Sequence, residues 1–239
     1  VSVTSVINGP THLDIAAHRP RFAALPVGSF EQHGAHLPVT TDTLVANAVA
    51  QRLCAAHQGL LLPAIGVSCS HEHAGFAGTL SISSRTLARL VQETVEAASA
   101  QGIAWVVIVN AHGGNYVLAH VAQELNVARP RVLLALARHH WQAAAAQAGI
   151  QTSLSDDMHG GEIETSILLH CHPELVRREL IQDFAAPERP LLTLLGLRHY
   201  APAGIVGRPS LATAEKGQRL LEALVEAIAR DIAAVVPAG

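Results

Sequence analysis

The chain has 239 residues, 49% hydrophobic and 15% charged, with a formal net charge of −3, so no basic field exists to draw in nucleic acid or an acidic membrane surface. No apolar run reaches the roughly 18 residues of a membrane span, Val1 to Pro10 lacks the basic start and apolar stretch of a leader peptide, and the length suits one large α/β domain over 1–239. The cysteines Cys54, Cys69 and Cys171 are odd in number and never in C-x-x-C, which argues against a disulfide framework or a cysteine-rich zinc site and fits a soluble protein of the reducing cytoplasm.

Phe22-Val27 is a short apolar run and predicts a buried strand. At its carboxyl end the chain reads G-S-F-E-Q-H-G-A-H-L-P-V-T-T-D from Gly28 to Asp42. Two residues apart in extended backbone, Glu31 and His33 point to one side, and Asp42 can return to them after the turn at Pro38. Carboxylate and imidazole together suit divalent zinc, iron or manganese better than a structural thiolate site. A solvated polar loop would explain Glu-x-His alone; the whole cluster, in a chain of fifteen histidines, favours a ligand set.

Asp42 or Thr43 then caps a predicted helix running to about His57, and Leu60-Ile65 is the second strand. Ser70-His71-Glu72-His73 follows, with Glu72 and His73 reading equally as surface loop or as a rim touching metal or substrate. A helix from Ser83 or Ser84 ends at Gln101 before Gly102. Trp105-Val109 is the third strand and runs into N-A-H-G-G-N at Asn110 to Asn115. Ligands collect beyond the carboxyl ends of such strands, which makes His112 a metal-ligand candidate; the alternative is a histidine hydrogen-bonded within its own turn. The phosphate patterns G-x-x-x-x-G-K-[ST] and G-x-G-x-x-G are both missing.

Asn115 opens a helix to about Asn126, and Arg131-Ala137 is the fourth strand. His159-Gly160-Gly161-Glu162-Ile163-Glu164 precedes a helix over Ile163 to His170. Acidic residues in a first turn complement the helix dipole, which accounts for Glu162 better than for Glu164. About 200° separates the two carboxylates, so one of them faces a metal centre. His159 is placed to shuttle a proton or hold substrate. Residues 184–209 show no period and read as a long loop reaching the site or a neighbouring subunit; Lys216 to Val235 is a final helix. Short strands alternating with helices give a mostly parallel sheet wrapped by helices.

The motif around Glu31, His33 and Asp42, E-H-x-x-F-x-G-T at Glu72 to Thr79, N-A-H-G-G-N at Asn110 to Asn115, H-G-G-x-x-E-T-S at His159 to Ser166 and A-E-K-G at Ala214 to Gly217 together resemble the creatininase family of metal-dependent amidohydrolases, in the same order. The resemblance implies a three-layer α/β/α sandwich, commonly a hexamer. It also implies two divalent ions per subunit, zinc first and manganese or iron as options in one site. Asp42 would bridge them, Glu31 would bind one, and His33, His112 and Glu164 would bind the other. Creatininase carries an aromatic residue and a metal-binding glutamate where this chain has Gly113 and Gly114, so the second ion's shell is short of one ligand unless Glu162, water or substrate fills it. It also carries a tryptophan where this chain has Ser155. Creatinine is therefore not the expected substrate.

The expected chemistry is cleavage of a C–N amide bond by a metal-activated water, with His159 donating a proton to the leaving nitrogen. Other relatives cleave formamides, or trim a modified peptide during maturation of a redox cofactor of the mycofactocin type. A substrate that is a small cyclic amide, a formamide or a short peptide is thus expected. A non-catalytic metal-binding assembly protein is the reading from another class; it gives no chemical reason to keep His159 and Glu164. Neither the G-x-S-x-G elbow nor H-E-x-x-H is present.

Overall fold

In a computed structural model describing residues 9–236, the central element is a four-stranded parallel sheet in the order β2-β1-β3-β4. Its strands are β1 (Phe22–Val27), β2 (Gly59–Leu61), β3 (Val106–Asn110) and β4 (Val132–Ala135). All of β1 is buried, as expected of a central parallel strand covered on both faces. Side chains alternate between those faces. Phe22 and Ala24 of β1, with Val107 and Val109 of β3, join one core; Ala23, Leu25, Val27, Val106 and Ile108 join the other.

The first core is closed by α2 (Thr41–His57), α5 (Arg138–Ala148), α6 (Glu162–Cys171) and α9 (Ala214–Val235). The second is closed by α3 (Ser84–Ala100) and α4 (Val117–Asn126). The result is the three-layer α/β/α sandwich. Local signals set most boundaries. Ser83 accepts from Thr86 N at 3.2 Å at the start of α3, Gly102 takes φ +82° just after that helix, and Thr213 accepts from Lys216 N at 3.2 Å at the start of α9. α2 begins one residue before Asp42, so Asp42 sits inside the first turn and is free to serve the site rather than to cap.

The chain moves from β1 outward to β2, then crosses to β3 on the other side of β1. That reversal opens a crevice between the carboxyl ends of β1 and β3, the place where open α/β sheets bind ligands. Glu31 and His33 leave β1 there, and His112 leaves β3.

Outside the 184–209 segment, two α-helices were not expected from the sequence: α1 (His12–His18) and α5. β2 stops at Leu61 instead of Ile65, although Ile65 still bridges to Val27. The 184–209 segment carries two four-residue helices, α7 (Leu192–Leu195) and α8 (Leu197–Tyr200). It is pinned by the bridges Phe184–Gly207 and His159–Val206 and by a small core around Leu197, Ala201 and Val206. Among the described residues the cysteines are free and no helix is long and apolar enough to cross a membrane. Most of the Val1 to Pro10 stretch, read above for a leader peptide, lies outside the described residues.

Candidate metal centre

Glu31 and His33 both reach the same cluster from the extended chain after β1, and the intervening Gln32 sets its Nε2 3.0 Å from Gly204 O and 3.0 Å from His73 Nδ1, behind the rings of the site. Asp42 comes from the first turn of α2, which can approach because Gly28 has no side chain: a Cβ there would collide with the backbone of Thr43. His112 follows β3 in a turn clamped by two amides. Asn110 Nδ2 donates to His112 O at 3.0 Å, and Asn115 Nδ2 donates to Asn110 Oδ1 at 2.9 Å. Gly114 is required in that turn, since a Cβ would overlap Glu72 Oε1, His112 Nε2 and Cys69 O. Gly160 adopts φ +61° and donates its N–H to Glu164 Oε2 at 2.6 Å, which aims Glu164 inward.

These segments meet in one buried cluster. His33 Nε2 lies 3.2 Å from Asp42 Oδ1 and 3.9 Å from Glu164 Oε2, while His112 Nδ1 lies 3.0 Å from Asp42 Oδ2 and 3.2 Å from Glu31 Oε1. Donor atoms therefore group as Glu31, Asp42 and His112 on one side and His33, Asp42 and Glu164 on the other, with a third group of Glu31, His33 and His159. Asp42 belongs to both of the first two groups, one oxygen in each. His112 falls with Glu31, not with His33 and Glu164 as the resemblance had implied.

The far nitrogen of each of these three imidazoles is tied to a backbone carbonyl. His33 Nδ1–H donates to Glu31 O at 3.1 Å, His112 Nε2–H to Cys69 O at 2.8 Å and His159 Nε2–H to Gln32 O at 2.6 Å. This is the arrangement that fixes the tautomer of a metal-binding histidine and turns its other nitrogen to the ion. Glu31 is fully buried, and neither of its carboxylate oxygens receives a well-directed hydrogen bond, despite His112 and His73 standing 3.2 and 3.3 Å from Oε1. A buried carboxylate in that condition is costly without a cation.

The electrostatics agree. Burial opposes charge on His33 and His112, yet the neighbouring carboxylates outweigh it. His33 is pushed up to about 9 by Asp42, Glu164 and Glu31, and His112 well above its ordinary value by Asp42 and Glu31. Asp42 is held well below the usual carboxylate range against its burial by those same two histidines. The same carboxylates that favour positive charge on these rings would favour a divalent cation between them. His159 behaves oppositely: burial and the nearby His33 and His73 hold it well below its ordinary value, so it is neutral with a free Nδ1 facing the cluster. Burial raises Glu164 to about 7 despite His33.

Glu72 and His73 lie on a single 3-10 turn, His71–His73, and both reach the site: His73 Nε2 is 3.3 Å from Glu31 Oε1, and Glu72 Oε1 is 3.8 Å from His112 Nε2. Glu162 does not. Its fully buried carboxylate takes Lys216 Nζ at 2.6 Å, Thr152 Oγ1 at 2.8 Å and Thr152 N at 2.9 Å, on the opposite side of α6 from Glu164. The ligand or substrate role left open for Glu162 above is thus replaced by a structural one. The cluster opens into a cavity of about 780 Å³ whose wall includes Tyr116, Arg138, Trp141, Met158, Arg189 and Leu192. None of these six was singled out from the sequence; Arg138 and Trp141 lie on the unexpected α5, and no local signal marks the others.

Residues 11–232 match the family model described as creatinine amidohydrolase. A relative from Mycobacterium ulcerans (strain Agy99), named mycofactocin precursor peptide peptidase, is 36% identical over 229 residues, covering 89% of this chain and 85% of the relative. Among solved structures, a creatinine amidohydrolase (creatininase) superposes with a TM-score of 0.81 at 28% identity, covering 94% of this chain and 93% of that one. A manganese form of creatininase gives 0.80 at 28% identity, over 94% of both chains. With the family model matched over residues 11–232 and the fold shared with solved creatininases, the chain belongs to the creatininase family of metal-dependent amidohydrolases.

Proposed function

We propose that this protein is a two-metal peptidase that hydrolyses an amide bond in a short or modified peptide. The observation that carries the metal part is Asp42, whose two oxygens face two separate donor groups, Glu31 with His112 and His33 with Glu164. Histidine and carboxylate donors without thiolate suit zinc, manganese or iron. Two such ions, which Glu31, Asp42 and His112 on one side and His33, Asp42 and Glu164 on the other would hold, would supply a water acidic near neutral pH and Lewis acidity for the amide carbonyl.

The chain's own groups handle the proton. His159 Nε2–H is held by Gln32 O, leaving Nδ1 as an acceptor directed at the centre. It takes a proton there from the attacking water and passes it to the leaving nitrogen. The substrate part rests on the peptidase named among the relatives and on cavity size. At about 780 Å³ the cavity falls in the range that encloses drug-sized ligands, far more than a formamide group needs. Homo-oligomeric assembly, a hexamer by family likeness, is supported by the exposed leucines Leu191, Leu194 and Leu195 of the α7 segment, and a cytoplasmic setting by the free thiols.

Metal analysis should find two equivalents per chain, and chelation should abolish peptide hydrolysis until metal is restored. His159→Ala should keep the metal and lower kcat by about 10²-fold or more. Loss of metal in that variant would make His159 a ligand instead.

A further inference from the structure

Two arginines line the cavity without any acid to pair with. Arg138 is the first residue of α5, just beyond β4, and Arg189 belongs to the segment that precedes α7. Among the described residues neither makes an ion pair. Arg189 Nη2 donates to Ser155 O at 2.9 Å, but its Nη1 is buried with no hydrogen-bond partner. The acids nearby are already engaged. Asp157, on the same wall, accepts the N–H groups of Glu162 and Ile163 at 2.6 and 2.8 Å, and Glu164 accepts that of Gly160.

A buried guanidinium nitrogen without an acceptor is expensive to keep. The guanidinium fork matches a planar carboxylate, and Arg138 adds its charge at the positive end of an eleven-residue helix. The cavity that Asp42, Glu72 and Glu164 line thus also presents two arginines that no acidic side chain among the described residues pairs with.

We propose that Arg189 and Arg138 bind a carboxylate of the substrate, so that the preferred peptide carries a negative charge at a distance from the bond that is cut. This rests on the peptidase reading above. The carboxylate is either an acidic side chain or the peptide's own C-terminus.

The test uses the metal-loaded full chain and peptides made as twins, one set ending in a free acid or an amide and another differing by Asp against Asn. Turnover gives KM and kcat, and calorimetry gives binding for any twin that is not cleaved. Wild type should favour the acidic member in one set or both by about tenfold, and the set that responds names the source of the carboxylate. Arg189→Gln and Arg138→Gln should erase that preference through KM while leaving kcat, metal content and the neutral twin nearly unchanged; Arg189→Lys should keep part of it. Wild type binding each twin equally, or binding none, would overturn the inference. So would arginine variants that weaken both twins alike, or that change the oligomer's mass with the preference intact. If metal is absent and nothing is cleaved, the peptidase reading fails, while calorimetry still judges the arginines separately.

Discussion

Among the described residues, histidine gathers with carboxylate at the β1–β3 crevice and again beyond β4, and of these two clusters only the first has the hydrogen bonding of a metal centre. At the crevice between β1 and β3, His33, His112 and His159 each commit one ring nitrogen to a backbone carbonyl and turn the other inward, toward carboxylates among which Glu31 has no hydrogen-bond donor on either oxygen. Beyond β4, His139 and His140 both approach Asp231 Oδ2, at 3.4 and 3.0 Å. There His140 Nδ1 accepts the Ala137 N–H at 3.1 Å, so its Nε2 carries the proton that bonds Asp231. A metal at Nε2 would need that proton on Nδ1, where Ala137 already points. Both places bring histidine and carboxylate within reach of one ion, but the first is buried and the second is partly exposed, and they differ again in where the second ring nitrogen is anchored.

The comparison is tested most severely by matched changes at the two carboxylates. Asp42→Asn should lower metal content and hydrolysis together, beyond the roughly 100-fold that loss of an outer-shell partner costs, because one side chain serves both donor groups. Asp231→Asn should leave metal and rate within about twofold, as expected away from the site. Metal analysis and kinetics on both variants check this. Metal retained in Asp42→Asn, or lost in Asp231→Asn, would dissolve the distinction.

A finer contrast lies within one helix turn. Glu164→Gln should weaken metal binding while leaving the fold intact, since that carboxylate faces His33. Glu162→Ala should do the reverse. It strands the buried Lys216 ammonium, and breaking a buried pair from one side costs about 3 kcal/mol or more. Denaturant unfolding of the metal-loaded variants separates the two. Equal metal loss in both would mean that Glu162 reaches the centre after all.

The clustering was largely legible in the sequence because each candidate ligand sits at a strand end or helix start, where local pattern is strongest: Glu31 and His33 after β1, His112 after β3, Glu164 in the first turn of α6. The 200° divergence between Glu162 and Glu164 was readable too, but not which of them faces the metal, since Lys216 lies 54 residues further along the chain. The proximity of His112 to Glu31 is not legible in the sequence because it depends on how adjacent strands align, with Val27 opposite Asn110, and no local pattern carries that register. α5 escaped notice because its alanines and histidines form no amphipathic stripe; its helix rests on alanine propensity and on packing against α9. The 184–209 segment gave no period because its short helices are held by tertiary contacts around Leu197 and Val206. Arg189 could not be found from a segment of that kind.

The smallest expected effect concerns the second cluster and its response to acid. Burial, helped by the charge of His139, keeps His140 below its ordinary value of 6.5 even though Asp231 pulls the other way. A histidine held neutral in the folded chain contributes nothing to pH dependence above its unfolded value, where both states are uncharged. As the pH falls below about 6.5 the unfolded chain takes up the proton first, and stability declines until the folded pKa is passed. Part of the acid-side loss of stability should therefore belong to His140, and His140→Gln should flatten it below about pH 6.5 while hydrolysis at neutral pH stays unchanged. Unfolding midpoints of the metal-loaded protein across that range provide the measurement, with Asp231→Asn expected to steepen the decline because it removes the one group favouring the charged ring. A slope the same in all three proteins would show that His140 titrates as it does in the unfolded chain, and the tie from Ala137 would then be too weak to set its tautomer.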